Sequence, residues 1–272
     1  MNNFTALDYM DIFKIFSGSK KLLFYDTCSI IKHSSCTEEH IKSLCEYFLK
    51  EDYVPVVINS VFEELLFSRN TLEDRFTVFF QRLSKYGCDV IFLDEIIIYD
   101  VLQQIFGSIK QINSQLLWAL RYLGIQQKDL NVESRINFKT AVTNILACKQ
   151  KGDNLGEEMC ALCIYFLTMI PIYNEGCIAF LSEDKRAAVM VNRLIRNSRI
   201  LFFSTPKLIQ HMYKSGVIKD KSQLELVLKS GNSGNISIRG ITPYDFDSFS
   251  NISGSARDIA QMIVDDTINI IF

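Results

Sequence analysis

Two short apolar runs in this chain stop abruptly at acids. Leu22-Leu23-Phe24-Tyr25 ends at Asp26, and Ile178-Ala179-Phe180-Leu181 ends at Ser182-Glu183-Asp184. Two further acidic pairs stand in segments of helical spacing, Glu63-Glu64 after Asn59-Ser60 and Glu157-Glu158 after Gly156. Carboxylates that converge bind hard divalent cations, because Mg²⁺ and Mn²⁺ prefer oxygen ligands. A pair of such ions activates water and stabilises the leaving oxygen of a phosphodiester, so this chemistry needs no catalytic His or Lys. The three histidines, His33, His40 and His211, form no triad or metal motif, and the sequence contains neither a Gly-x-Ser-x-Gly elbow nor a Gly-x-x-x-x-Gly-Lys loop. Taken singly, each acid also has a plain structural role open to it: Asp26 and Asp184 as helix caps, Glu64 and Glu157 as first-turn acids favoured by the helix dipole.

The elements that would position these acids follow from the apolar pattern. Residues 22–25 are a continuous apolar run, as expected of a strand buried on both faces of a parallel sheet. Ile41, Leu44, Cys45 and Phe48 recur at helical spacing over 38–49. A second strand is expected at Val54–Ile58, followed by a helix carrying Val61, Leu65 and Leu66 with Ser60 as its N-cap. Residues 88–93 read as a third strand, and 97–149 as two or three helices broken near Gly124–Asn131. A helix from near Gly156, a strand at 178–181, a helix at 184–196 and a strand at 200–203 complete an alternation that indicates a parallel sheet of about five strands. In such sheets functional residues sit in the loops leaving the carboxyl ends of the strands, where Asp26 and Asp184 fall. Beyond Pro206 glycines punctuate short elements, with helices expected near 221–229 and 255–265.

Composition sets the class. The 272 residues are 48% hydrophobic and 22% charged with only 4 Pro, the profile of an ordered globular chain. A net charge of -2 lacks the excess of a non-specific nucleic-acid binder, so any contact with nucleic acid must be local. The 8 Cys lack the paired spacing of a zinc module and are expected to be reduced and mostly buried; Cys160 and Cys163 fall inside a helix, as core residues. No basic region precedes a long apolar run and no stretch reaches the ~20 apolar residues of a membrane span, so a cytoplasmic protein without a membrane partner is expected.

Local wording sharpens the reading of the acids. Tyr25-Asp26-Thr27-Cys28-Ser29-Ile30 resembles the opening Asp-Thr/Ser motif of PIN-domain nucleases, and Ser60-Val61-Phe62-Glu63-Glu64-Leu65 their second motif, which ends in Glu-Leu. Gly156-Glu157-Glu158-Met159-Cys160-Ala161-Leu162 is similar to a Gly-Glu-x-x-Ala-Leu helix start, and Phe180-Leu181-Ser182-Glu183-Asp184-Lys185-Arg186-Ala187 to the motif Leu-Thr-Asp-Asp-Lys-x-Ala. The resemblance covers about residues 20–206 and is to nucleases such as the VapC-type toxins. It implies a three-layer α/β fold with a central parallel sheet of about five strands, and a metal-dependent endoribonuclease, toxin or defence effector among its functions. Asp26, Glu64, Glu157 and Asp184 would be the catalytic residues and ligands of Mg²⁺ or Mn²⁺, with Glu63, Glu158 and Glu183 as alternates one residue away. Glu64 is preferred to Glu63 because it precedes Leu65. Thr27, Lys185 and Arg186 would meet the substrate.

The gap between Glu64 and Glu157 is longer than in small members of that family, so residues 1–206 are read as the nuclease domain with 97–149 as a helical insert, and 207–272 as a C-terminal extension. These additions suit an antitoxin or regulatory protein, or a homodimer. A DNA nuclease of the same type and a degenerate fold that only binds RNA or protein are the alternatives; a haloacid-dehalogenase-type phosphatase ranks last, since Cys28 stands where it would want Asp. Arg135, Lys139, Lys149 and Lys151 before the third acidic motif, and Arg193, Arg196 and Arg199 after the fourth, are further candidates for phosphate contact, although spaced cations on helices are usually solvated. Trp118 and Tyr122, four apart, are expected in the core rather than stacked on a base.

Overall fold

The computed structural model describes residues 7–67, 71–125, 130–148, 154–195, 200–232, 234–242 and 249–271. The chain opens with α1 (Tyr9–Ser17), β1 (Lys21–Tyr25), α2 (Thr27–Ser34), α3 (Glu38–Lys50), β2 (Tyr53–Ile58) and α4 (Asn59–Leu65). A two-stranded ribbon, β3 (Leu66–Phe67) and β4 (Thr71–Leu72), leads to α5 (Asp74–Lys85) and β5 (Ile91–Leu93). Three helices follow, α6 (Ile97–Phe106), α7 (Ile109–Tyr122) and α8 (Arg135–Cys148), then α9 (Leu155–Leu167), β6 (Ile178–Leu181), α10 (Lys185–Leu194) and β7 (Leu201–Phe203). The tail holds α11 (Thr205–Lys214), α12 (Lys221–Ser230), β8 (Ile236–Ile241), β9 (Ser250–Gly254), α13 (Ala256–Val264) and β10 (Asn269–Ile271).

The expected fold class is the one observed. Five strands form an all-parallel sheet in the order β5-β2-β1-β6-β7, with helices on both faces. Every residue from Leu22 to Tyr25 and from Ile178 to Leu181 is buried, which is what two covered faces require of central strands. Helix α3, flanked by α5 and α11, packs on one side, and α9, flanked by α4, α6 and α10, on the other. From β1 the chain steps to β2 and β5, then returns to the opposite side for β6 and β7. The sheet's switch point therefore lies between β1 and β6, whose register pairs Tyr25 with Leu181.

Several expectations shift in detail. The third strand is confined to Ile91–Leu93, whereas the insert holds three helices, within the two or three expected, with Gly107 at φ +65° ending α6. Ser60 is not an N-cap: α4 begins at Asn59, Ser60 is buried inside it, and its N–H donates to the carboxylate of Glu95, 2.5 Å away on the turn after β5. Glu64 consequently lies in the last turn of a short helix, not near its start. Trp118 is not core either; it is 47% exposed. The expected reduced thiols agree with eight free cysteines, of which Cys160 and Cys163 are wholly buried. Among the described residues no helix is long and apolar enough to cross a membrane.

The tail was read only as helices, yet β10, β8 and β9 form an antiparallel sheet. It is tied to the rest through side chains that satisfy backbone groups. Gln210 of α11 donates to the Ile268 carbonyl and accepts from the Ile270 N–H, and the His40 ring of α3 meets the Val227 carbonyl. Helix α11 crosses residue 206.

Candidate metal centre

Asp26 leaves the end of β1 and caps α2, one carboxylate oxygen accepting the Cys28 N–H at 2.7 Å. The other oxygen accepts from the Ser182 hydroxyl at the end of β6. At 1% exposure the group is costly to ionise, and burial pushes its pKa up to about 6; the Ser182 and Cys28 hydrogen bonds oppose that rise, while Glu64 and Glu183 add to it. Ser182 also accepts the Asp184 N–H at 3.0 Å, so one hydroxyl joins the two strand-end acids. Asp184 in turn caps α10, accepting the Arg186 N–H at 2.7 Å.

Glu64 reaches the same place from α4. The Thr27 hydroxyl donates to one of its oxygens, and the Gly156 N–H donates to the other at 2.7 Å. A Cβ at Gly156 would stand 2.8 Å from the Glu64 carboxylate, which would then have to move off this seat. This contact seats the first turn of α9, which carries Glu157. Glu157 is 9% exposed, and its Oε2 has no hydrogen-bond partner among the described residues. Burial, then the fields of Asp26, Asp184, Glu64 and Glu158, push its pKa up to about 8. Candidate ligand atoms of Asp26, Glu157 and Cys28 lie within 4.8 Å of one another.

The alternates in the three acidic pairs differ in their surroundings. Glu63 is exposed, and Glu158 exerts the smallest of the four fields on Glu157. Glu183 is held by Lys32 at 2.6 Å and by the Thr205 N–H and hydroxyl at 2.7 and 2.5 Å. Because the Thr205 hydroxyl donates to Glu183, it must accept from Nε2–H of buried His33 at 3.0 Å, leaving Nδ1 to accept from the Tyr25 hydroxyl at 3.2 Å. Glu183 thus anchors α2 and α11 behind the site. Burial, with the nearby charge of Lys32, keeps the His33 pKa well below its usual value and the ring neutral.

Among the described residues no Lys, Arg or His forms an ion pair with Asp26, Glu64, Glu157 or Asp184. Asp26 and Glu157 present ligand atoms within 4.8 Å of each other, Glu64 and Asp184 stand close enough to raise the pKa of Glu157, and none of the four has an ion-pair partner among the described residues; with one oxygen orphaned, this set matches the donor chemistry of a hard divalent cation. Cys28 stands among them, but burial and the surrounding acids push its thiol up to about 12, so it is a neutral, soft neighbour. Reading along the chain missed Cys28, Ser182 and Glu95. Ser182 becomes visible only through the pairing of β6 beside β1, and Glu95 only through β5 beside β2.

The expected substrate contacts divide. Thr27 has its hydroxyl on Glu64, whereas Lys185 and Arg186 are exposed on the first turn of α10. Arg135 and Lys139 pair with Asp100 and Asp94 at 3.0 and 3.4 Å. Lys149, Lys151, Arg196 and Arg199 lie outside the described residues. Comparison of the chain with protein-family models, with curated proteins and with solved structures finds no match.

Proposed function

We propose that this protein is a PIN-type, Mg²⁺- or Mn²⁺-dependent endoribonuclease whose active site is Asp26, Glu64, Glu157 and Asp184. The observation that carries the reading is the meeting of Asp26 and Glu157 at the switch point of the sheet, within the fields of Glu64 and Asp184 and with no ion-pair partner for any of the four among the described residues. The motif resemblance supports the same assignment from an independent direction. When bound, the cation supplies Lewis-acid stabilisation of charge on phosphoryl oxygens and lowers the pKa of water.

The residues of the chain provide the frame. Asp26 and Glu157 offer ligand atoms within 4.8 Å of each other, Glu64 and Asp184 act on them through their charge, and Ser182, Thr27 and the Gly156 N–H fix three oxygens of Asp26 and Glu64 by hydrogen bonds. Lys185 and Arg186, directly after Asp184, draw a phosphate backbone toward acids that would otherwise repel it. We expect the activity in the cytoplasm, and a small protein with a cationic side chain would silence it by covering the same acids.

The test is cleavage of end-labelled single-stranded RNA and DNA by the purified chain with Mg²⁺, Mn²⁺ or excess EDTA. The expected result is internal cleavage of RNA that EDTA abolishes and Asp26→Asn reduces by at least 100-fold, on the order of 3 kcal/mol of lost transition-state stabilisation. Cleavage that persists in EDTA or in Asp26→Asn overturns the proposal, and cleavage of DNA alone reassigns the substrate.

A further inference from the structure

Beside the acid cluster, α10 and α7 enclose a groove. A depression of about 430 Å³ is lined by Lys185, Arg186 and Arg193 of α10 together with Tyr122 of α7. It shares Tyr122 with a second depression of about 510 Å³ that is lined by Trp118 and Arg121. Lys185, Arg186 and Arg193 fall on one face of α10 and span about 12 Å of helix axis, beginning at the residue after Asp184. The four cations are exposed, and among the described residues none of them pairs with an acid.

The far end of the groove is aromatic. Trp118 stacks on Tyr122 with ring centres 5.5 Å apart and planes 22° apart, and lies 5.6 Å from Tyr165 of α9. The Tyr122 hydroxyl meets the Arg193 carbonyl at 3.1 Å, which locks the aromatic group to the cationic helix. Among the described aromatic residues only Trp118, at 47%, and Phe249, at 54%, are exposed. Cations that track a backbone, next to exposed rings at a fixed distance, are the physical requirements for holding unpaired nucleotides: phosphates meet the cations and base faces meet the rings. A duplex hides its base faces and satisfies only the first requirement. A second copy of the chain is a poor occupant, because a two-fold contact would set these cations against themselves.

Resting on the nuclease reading above, we infer that the α7–α10 groove is the substrate track: it binds single-stranded RNA, with phosphates on Lys185, Arg186 and Arg193 and a base on the Trp118–Tyr122 platform, and feeds the strand to Asp184. Trp118 is the only tryptophan, so its fluorescence reports the platform directly. The experiment titrates the full-length, EDTA-treated protein with a dodecamer of uridylate, with a duplex RNA of equal length and with poly-glutamate. Labelled-RNA anisotropy is then measured for Trp118→Ala, Trp118→Phe and Arg186→Glu/Arg193→Glu, with circular dichroism to confirm folding. The expected results are quenching by the single strand alone, a loss of ~10-fold in affinity for Trp118→Ala that Trp118→Phe largely restores, and a larger, salt-dependent loss for the double charge reversal. Quenching by the duplex or by poly-glutamate at equal charge, or unchanged affinity in folded Trp118→Ala and in the double variant, overturns the inference. Specific binding through the groove without cleavage under any divalent ion sustains the track and removes the nuclease assignment; cleavage that ignores the groove variants does the reverse.

Discussion

Glu157 and Asp26 retain protons in the folded, metal-free protein that the unfolded chain releases near pH 4, and Glu95 does so as well, its pKa pushed up to about 7 by burial. An acid raised on folding contributes stability that is complete below its unfolded pKa and is lost as pH rises through the folded one. Buried His40, held down to about 4 by desolvation, acts in the opposite direction, gaining stability as pH rises, but its contribution is complete by about pH 6.5. The clean window is therefore about pH 6.5 to 8, below the range in which the unfolded chain ionises cysteines such as Cys28, Cys36, Cys160 and Cys163 that burial keeps protonated in the fold. The metal-free protein is predicted to lose about 1–2 kcal/mol across it, after allowance for solvent screening, or a few degrees of melting temperature. Saturating Mn²⁺ should recover most of that loss; a flat melting profile without metal would contradict the electrostatic account. Asp26→Asn, which removes one of the clustered charges, should melt at pH 8 no lower than wild type and should lose the Mn²⁺ response. At this scale the sequence exposed Asp26 and Asp184, because each ends an apolar run. It left Glu64, Glu157 and Asp184 uncertain by one residue, and it concealed Cys28, Ser182 and the solvent exposure of Trp118, which depend on neighbours distant along the chain.

Two contacts between elements decide where the acids stand. Gly156 lets α9 approach α4 closely enough for its N–H to hold Glu64. Gly156→Ala meets only the tip of a flexible side chain, so its stability cost is predicted to be small, below about 1 kcal/mol. Its effect should fall on the site, as a drop of ~10-fold or more in Mn²⁺ affinity by calorimetry; wild-type affinity would show that Glu64 does not need this seat. The second contact is Glu95, which accepts the Ser60 N–H and thereby fixes the start of the helix that carries Glu64. Glu95→Leu orphans that buried donor and is predicted to cost about 1–3 kcal/mol in denaturant melts, whereas Glu95→Gln keeps the acceptor and should cost much less. Equal losses in the two variants would point to packing instead. The parallel strands were legible because central strands are apolar throughout. The antiparallel tail sheet was not: β8 does alternate, buried at Ile236, Ile238 and Gly240, but glycine interrupts the short run, and β9 carries Ser250, Asn251 and Ser253 in place of a clear apolar face.

The whole molecule places a cluster of uncompensated acids at a switch point, a cationic and aromatic groove beside it, and a tail bound to the far side of α3 and α11. The order of strands follows from alternation, but which strand neighbours which is a property of the sheet, and the switch point that unites Asp26 with Ser182 and Asp184 emerges only there. Expressed alone, the chain is predicted to slow growth of its host and Asp184→Asn to relieve it; harmless high-level expression of folded, metal-loaded protein would leave a nuclease without a toxin role. The most direct test of the central claim is anomalous scattering from crystals grown in Mn²⁺ at pH 8. The account predicts a peak at about 2.0–2.2 Å from carboxylate oxygens of both Asp26 and Glu157. A saturated crystal with no peak between them, or with Mn²⁺ bound elsewhere and the four acids still unligated, would contradict it.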